Sequence, residues 1–225
     1  MFRLRKSWCV VMHMLGDRGF IIPEDSKFYC LECDIAMNPD ENNCDCYNNF
    51  IAWVGDDERE ARKEMSVVFS NKKQEQVMTF WTNQYGVGDV QKIQEQMRQN
   101  EIKHAVVVHN NKITSNAGTA MKNLKNQGFF IEPFHEDEVQ YVVTRSKLVP
   151  KHIICTKAKM DEILKVYNVT KQQLPEIKTS DPVIRYIGAA RGHLIKIVRP
   201  SESVGSVLID GERKPLFDIY YRIVV

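Results

Sequence analysis

The chain has 225 residues, of which 43% are hydrophobic and 27% charged, and its formal net charge is +2. These values are typical of a soluble globular protein with one large domain or two small ones. A surplus of positive charge this small does not by itself indicate nucleic-acid binding, which needs clustered basic residues. No apolar run approaches the roughly 20 residues that a membrane-spanning helix needs.

The N-terminal segment has basic residues ahead of a short apolar run, as a targeting sequence would. His13 interrupts that run and no small-residue cleavage site follows, so we reject a signal peptide and expect an intracellular protein. The apolar residues of the segment recur at helical spacing: Trp8, Val11, Met12 and Leu15. This spacing predicts an amphipathic helix that ends between Gly16 and Gly19.

The first half of the chain then alternates between strand and helix patterns. Residues 23–57 are polar, acidic and rich in asparagine, and we interpret part of them as a surface insertion. The segments EMSVVFSN, QVMTFWT, KHAVVVHN and FFIEPF are predicted strands. GDVQKIQEQMRQN and TSNAGTAMKNLKNQG are predicted helices, the second one capped by Thr114 and Ser115 and ended by Gly128. This β-β-α-β-α-β order predicts an α/β domain with helices on a mixed sheet.

The second half has a different character. Residues 145–152 are interpreted as a linker, and Thr156 is predicted to cap the helix that follows. Asp181 is a predicted N-cap, Pro182 suits the first helical position, and Gly188 ends that short helix. HLIKIVR and the terminal FDIYYRIVV are predicted strands, and Asp210-Gly211 signals a tight turn between them.

A string of short motifs runs from Leu148 to the C-terminus. It comprises Leu148-Val149-Pro150-Lys151-His152, Gln173-Leu174-Pro175, Asp181-Pro182-Val183, Arg185-Tyr186, Gly188, Arg191-Gly192 and the segment KIVRPSES. These motifs, in this order, resemble the shared fifth subunit of eukaryotic nuclear RNA polymerases. The archaeal counterpart of that subunit consists of this C-terminal part alone.

The N-terminal half resembles the eukaryote-specific jaw domain of the same subunit. Asp17-Arg18-Gly19-Phe20 matches the family's Asp-Arg-Gly-aromatic signature, and NNKITSNAGTAMK matches its jaw loop. The resemblance implies an α+β architecture: a jaw domain with a nuclease-like mixed sheet over residues 1–145, and a compact mixed α/β assembly domain over 146–225.

The resemblance also implies a function without catalysis or cofactor, in the nucleus. In the family, the assembly domain docks on the largest polymerase subunit, and the jaw reaches over the cleft where downstream duplex DNA enters. No membrane or small-molecule substrate is implied. The implied DNA-proximal residues are Lys112, Thr114, Ser115 and Asn116. The implied interface residues are Pro150, His152, Asp181, Pro182, Arg185, Tyr186, Arg191, Lys196 and Arg199.

Two features depart from the family pattern. The jaw loop has Ser115 where the family usually has proline, and SVLIDGERKPLF stands between the RPSE element and the final strand. The basic residues of the second half are interpreted as a surface complementary to an acidic partner.

The cysteine spacing leaves one question open. Among the six cysteines, Cys30, Cys33, Cys44 and Cys46 form a Cys-x2-Cys pair followed by a Cys-x-Cys pair. The first pair has the spacing of a zinc knuckle, but the second is one residue short. Structural zinc and free thiols both remain open, and we expect little bound zinc.

Two other functions compete with this one. Pro39-Asp40 and Glu101-x-Lys103 faintly resemble the metal site of a nuclease, although no second carboxylate beside Glu101 is evident. A binding module unrelated to polymerases would require the C-terminal motifs to be accidental. The six histidines show no metal or triad spacing and are expected to be ordinary residues.

Overall fold

The computed structural model describes residues 1–23, 45–201, 206–209 and 212–225. The chain divides into two compact units, which we call unit 1 (Met1–Val142) and unit 2 (Val143–Val225). Each contains a four-stranded mixed sheet with helices, so the predicted α+β fold class is confirmed. Among the described residues, no helix combines the length and apolar character needed to cross a membrane.

Unit 1 is built around a sheet with the strand order β1-β2-β3-β4. Its helices are α1 (Phe2–Asp17), α2 (Asp45–Val54), α3 (Glu58–Glu64), α4 (Val87–Gln99) and α5 (Ser115–Asn126). Its strands are β1 (Val68–Ser70), β2 (Gln76–Thr82), β3 (His104–His109) and β4 (Phe130–His135). β1 is antiparallel to β2, whereas β2, β3 and β4 are parallel. The predicted β-β-α-β-α-β order and the mixed sheet are therefore confirmed.

The crossover helices α4 and α5 cover one face of this sheet. The apolar face predicted for α4 is buried there: Val90, Ile93 and Met97. They pack with Ala117 and Leu124 of α5 and with the inward side chains of β2 and β3. Parallel strands need such crossovers, which is why the helix and strand patterns alternate along the sequence.

The opposite face of the sheet holds an aromatic cluster formed by α1, α2 and β2. Trp8 lies 5.1 Å from Trp53 and 5.0 Å from Trp81 between ring centroids, and Phe50 of α2 is fully buried. The interpretation of residues 23–57 as partly a surface insertion therefore does not hold for α2, because apolar residues at helical spacing anchor it on α1. Residues 24–44 lie outside the described part of the chain.

Unit 2 has a second sheet with the order β5-β7-β10-β6. Its elements are β5 (Lys151–Ile154), α6 (Lys157–Tyr167), β6 (Glu176–Ile177), α7 (Pro182–Ile187), β7 (Leu194–Pro200), β8 (Ser206–Ile209), β9 (Glu212–Pro215) and β10 (Phe217–Val224). α6 covers one face, where Met160 and Ile163 pack with Leu194 and Ile223. α7 covers the other face, where Ile184 packs with apolar residues of β7 and β10.

The local signals of unit 2 have mixed outcomes. Thr156 and Asp181 cap their helices, and Gly188 ends α7 with φ +71°, a conformation that favours glycine. β8 and β9, which were not predicted as strands, pair with Ile209 opposite Glu212, the residues that flank the Asp210-Gly211 turn signal. Residues 145–152 were interpreted as a linker, but the last two, Lys151 and His152, begin β5 and pair with β7. The interpretation is wrong for these two residues.

Candidate functional sites

The DNA-proximal candidates lie at the end of the unit 1 sheet where its parallel strands finish, which we call the carboxyl edge. β3 ends at His109, and the loop after it leads into α5. Thr114 is the N-cap of α5, and its hydroxyl oxygen accepts a hydrogen bond from Ala117 N at 3.3 Å. Sheets with parallel strands commonly bind ligands outside this edge, because the helices that follow point their free N–H groups there.

The chemistry of the loop suits an anion. Its four candidate residues are all exposed: Lys112, Thr114, Ser115 and Asn116. The first turn of α5 contains no acidic residue. The positive end of the helix dipole and the Lys112 ammonium group would therefore both attract a phosphate. Contact with DNA stays a prediction.

Two histidines hold the same loop through hydrogen bonds to its backbone. His109 and His135 are register partners at the ends of β3 and β4, with ring centroids 5.4 Å apart. His109 Nδ1 donates to the carbonyl oxygen of Asn111 at 2.8 Å, and His135 Nε2 donates to that of Asn110 at 2.7 Å. Tyr85 stacks on the His109 ring. The two histidines thus fix the loop that leads to Lys112.

This histidine pair was missed by the spacing criterion, because His109 and His135 are far apart in the sequence. The available signal was that each histidine stands at or just after the end of a predicted strand, KHAVVVHN and FFIEPF, and the ends of parallel neighbours meet at one edge. The expectation of ordinary, hydrogen-bonded histidines holds for both of them.

The signature Asp17-Arg18-Gly19-Phe20 connects the end of α1 to the sheet of unit 1. Both terminal nitrogens of Arg18 donate to the Glu132 carboxylate of β4, at 2.9 and 3.0 Å. His104 Nε2 lies 2.6 Å from the same carboxylate. Gly19 has φ +90°, which turns the chain so that the Phe20 backbone bridges to Asn71. The signature thus ties the end of α1 to both sides of the sheet.

The ionisation of Glu132 follows from this arrangement. Burial alone would raise the pKa of Glu132, but the hydrogen bond from His104 and the Arg18 guanidinium together lower that pKa to about 2. The side chains of Arg18 and Glu132 are only 6% and 15% exposed. The group is therefore a charged, water-shielded ion pair that stabilises the fold.

Several interface candidates of unit 2 have structural partners within the unit. Asp181 accepts hydrogen bonds from Val183 N and Ile184 N at 2.9 and 3.2 Å, and Tyr186 is only 5% exposed. His152 Nδ1 donates to the carbonyl oxygen of Pro150 at 2.7 Å. Pro182 occupies the first turn of α7. These residues build the scaffold, and their contact with another subunit stays a prediction.

The basic candidates do not share one face of the unit 2 sheet. Side chains alternate along β7, so Lys196 lies on the α6 face with Leu194, and Arg199 lies on the α7 face with Ile197. The Arg199 guanidinium lies 4.4 Å from the centre of the Tyr220 ring and donates to its hydroxyl group at 2.9 Å. Arg185 is half-buried, and Arg191 is exposed in the turn before β7.

The nuclease alternative is only partly open to inspection, because Pro39 and Asp40 lie outside the described residues. Glu101 and Lys103 line an open pocket of about 500 Å³ with Glu75, His104 and Phe20. Glu101 occupies a left-handed turn after α4, with φ +59°. In the described part of the chain, no group of three acidic, histidine or cysteine side chains could hold a metal ion.

The zinc question stays open. Cys30, Cys33 and Cys44 lie outside the described residues, and only the backbone of Cys46 is described, in α2. Cys9 is buried and Cys155 is half-buried, and neither forms a disulfide within the described residues.

Comparison with known proteins supports the resemblance drawn from the motifs. Residues 141–209 match the family described as RNA polymerase Rpb5, C-terminal domain. The chain is 28% identical over 212 residues to a Caenorhabditis elegans protein named DNA-directed RNA polymerases I, II, and III subunit RPABC1, covering 91% of each chain. The protein of the same name from Caenorhabditis briggsae is 27% identical over 212 residues, again with 91% of each chain covered. The Dictyostelium discoideum protein of that name is 39% identical over 125 residues, which cover 55% of this chain and 64% of the relative. Residues 141–209 therefore match the Rpb5 C-terminal domain, and the chain is similar over most of its length to subunits shared by RNA polymerases I, II and III.

Proposed function

We propose that this chain is a non-catalytic subunit of a nuclear DNA-directed RNA polymerase. Unit 2 docks on the largest subunit, and unit 1 presents its carboxyl edge to downstream duplex DNA. The observation that carries the proposal is similarity over 91% of the chain to subunits shared by polymerases I, II and III. Similarity over both units supports a role for both in the assembled enzyme.

The charges of unit 2 support docking on a partner. Its signature residues Asp181 and Gly188 shape a compact scaffold, and cationic side chains such as Arg191 and Arg199 remain on its surface. Charges of one sign on a surface select a partner of the opposite sign and fix its orientation. An acidic region of the largest subunit fits this surface.

The loop between β3 and α5 supports a weak contact with DNA. It offers one cation, Lys112, and the N-terminal N–H groups of α5. Duplex binding by an isolated protein needs several phosphate contacts, each of which strengthens the salt dependence of binding. A single loop of this kind is therefore useful only when other subunits hold the DNA.

The first test is recovery of the polymerase. A tag on the full chain, expressed in its own cells, is expected to co-purify the largest polymerase subunit. Replacing the exposed Arg191 by glutamate should lower that recovery, because the substitution reverses a charge on unit 2. Lys92→Glu, the same change on the exposed face of α4 in unit 1, is the matched control. Absence of large polymerase subunits from the purified material would refute the proposed function.

The second test concerns DNA. A photocrosslinker at Ser115 is expected to label DNA ahead of the active site in a DNA-engaged polymerase, because Ser115 begins α5 at the carboxyl edge. The same crosslinker at Gln99, the last residue of α4 and at the opposite edge, should label only protein. The free chain should bind a duplex negligibly near physiological salt. Tight binding by the free chain, or a Ser115 crosslinker that labels only protein, would contradict this assignment.

A further inference from the structure

β10 has a long open edge on the side of β6. On its other side it pairs with β7 from Phe217 to Ile223, almost its whole length. On the β6 side it pairs only at Ile223 and Val224. Within the described residues, no strand lies beside positions 217–222 on that side.

The hydrogen bonds show which backbone groups face this open edge. Ile223 N donates to the Pro175 carbonyl oxygen at 2.9 Å, on the β6 side. Val224 N donates to the His193 carbonyl oxygen at 3.0 Å, on the β7 side. Backbone groups alternate in direction along a strand. The N–H and C=O groups of Phe217, Ile219 and Tyr221 therefore point away from β7, into the open edge.

The chain itself leaves this edge vacant. β6 has two residues and is preceded by Pro175 and a 3-10 turn at Lys171–Gln173, so it does not continue as a strand along the rest of β10. Six further residues of β10 remain alongside, a length of about 20 Å at about 3.4 Å per residue. The pairing with β6 shows that this side of β10 accepts a strand.

β4, an edge strand of unit 1, is blocked where the edge of β10 is open. The Phe130 N–H of β4 points to β3, so Ile131, Pro133 and His135 face outward. Proline has no N–H, and the His135 N–H donates to the Glu138 carboxylate at 2.7 Å. Proteins commonly block edge strands in this way, because unpaired edges recruit other strands.

β10 has no such protection. Its outward-facing positions contain neither proline nor charge, and the side chains of Phe217 and Ile219 are 54% and 50% exposed. Both lie on the α6 face, in line with Ile223, so they extend the apolar surface beside the core. An edge that is unpaired, unblocked and apolar is suited to a partner strand.

We propose that the open edge of β10 binds an extended segment of a partner polypeptide, which adds a strand to the unit 2 sheet. This inference rests on the proposed function and specifies how unit 2 docks. The charged residues of β7 and β10 are Lys196, Arg199, Asp218 and Arg222, three cations and one anion. The segment would therefore alternate apolar residues, facing Phe217 and Ile219, with acidic ones. At the edge itself β10 carries one anion and one cation, and the excess of cations comes from β7 beyond it. A second copy of this chain fits less well, because its own β7 and β10 would add the same excess of cations to the combined sheet.

Hydrogen exchange at single-residue resolution tests this pairing in the unmodified chain. In the free chain, the amides of Phe217, Ile219 and Tyr221 are expected to exchange rapidly, whereas those of Asp218, Tyr220 and Arg222 are protected by β7. In the purified polymerase, the first three amides should slow by at least about 100-fold, because a strand now accepts their hydrogen bonds. The second three serve as the internal control.

A proline substitution tests the same edge in the cell. Ile219→Pro removes one outward N–H without removing a bond to β7, whereas Ile219→Val keeps that N–H and the β-branched shape. The tagged full-length Pro variant is expected to recover about tenfold less of the largest subunit than the Val variant, the loss of about one hydrogen bond. Far-ultraviolet circular dichroism should show both variants folded. If the Pro variant is unfolded, the exchange measurement decides alone.

The outcomes separate this inference from the proposed function. Failure of the wild-type chain to co-purify with polymerase would sink the proposed function, and the inference with it. If the chain co-purifies with polymerase but the amides of Phe217, Ile219 and Tyr221 still exchange rapidly in the complex, the proposed strand addition is wrong. The proposed function would stand in that case. A free chain that dimerises in solution and protects these three amides would identify a second copy as the occupant, against the proposal.

Discussion

Replacing Glu132 by glutamine is expected to lower the free energy of unfolding of unit 1 by about 3 kcal/mol, the equivalent of a carboxyl pKa lowered from 4.5 to about 2. The substitution keeps the shape of the side chain but leaves the Arg18 guanidinium, only 6% exposed, without its counter-charge. Removing one member of a shielded ion pair costs more than the pair itself contributes, because the remaining charge is uncompensated.

Denaturant unfolding of the full chain at several pH values measures this effect. Since the folded-state pKa of Glu132 lies below its ordinary value, the stabilisation is fully present above pH 4.5 and is lost as the pH falls toward 2. The difference in the free energy of unfolding between wild type and Glu132→Gln should therefore be largest above pH 4.5 and shrink as the pH falls toward 2. Glu60→Gln, at an exposed pair with Lys63, is the control and should cost less than about 1 kcal/mol. If the Glu132 variant is as stable as this control, the Arg18–Glu132 ion pair does not stabilise unit 1 as expected.

Replacing Trp8 by alanine is expected to destabilise unit 1 by about 3–5 kcal/mol. Trp8 is 2% exposed and lies between Trp53 of α2 and Trp81 of β2, so its removal leaves a cavity between three elements. The same unfolding experiment, followed by far-ultraviolet circular dichroism, measures the loss.

The control for Trp8 is Tyr141→Ala, which removes an aromatic side chain that is 52% exposed. It should change the free energy of unfolding by less than about 1 kcal/mol, because little packed surface is lost. Equal effects of the two substitutions would show that the aromatic cluster does not contribute to stability as its geometry indicates.

The sequence predicted the parts of the fold that depend on local patterns. α4 and α5 have apolar residues at helical spacing, β2 and β3 are short runs of apolar residues, and Asp181 and Gly188 are local end signals. Each of these signals acts within a few residues, so one sequence is enough to recognise it. β6, with two residues held by pairing with β10, has no such signal.

The candidate sites depend more on distant contacts. The loop containing Lys112 was predicted as DNA-proximal because it matches a family motif, and this stays a prediction. The Arg18–Glu132 pair joins residues 114 positions apart, and the pairing of His109 with His135 depends on the register of two parallel strands. Neither contact leaves a local pattern, although the resemblance identified Arg18 as part of a signature.

The position of the aromatic cluster makes the two units optically distinct. All three tryptophans of the chain, Trp8, Trp53 and Trp81, lie in unit 1, whereas unit 2 contains only tyrosine and phenylalanine as chromophores. Indole emission therefore reports the state of unit 1 alone. Unfolding of unit 1 can therefore be followed by indole emission in the unlabelled protein, whereas unit 2 has no indole signal of its own.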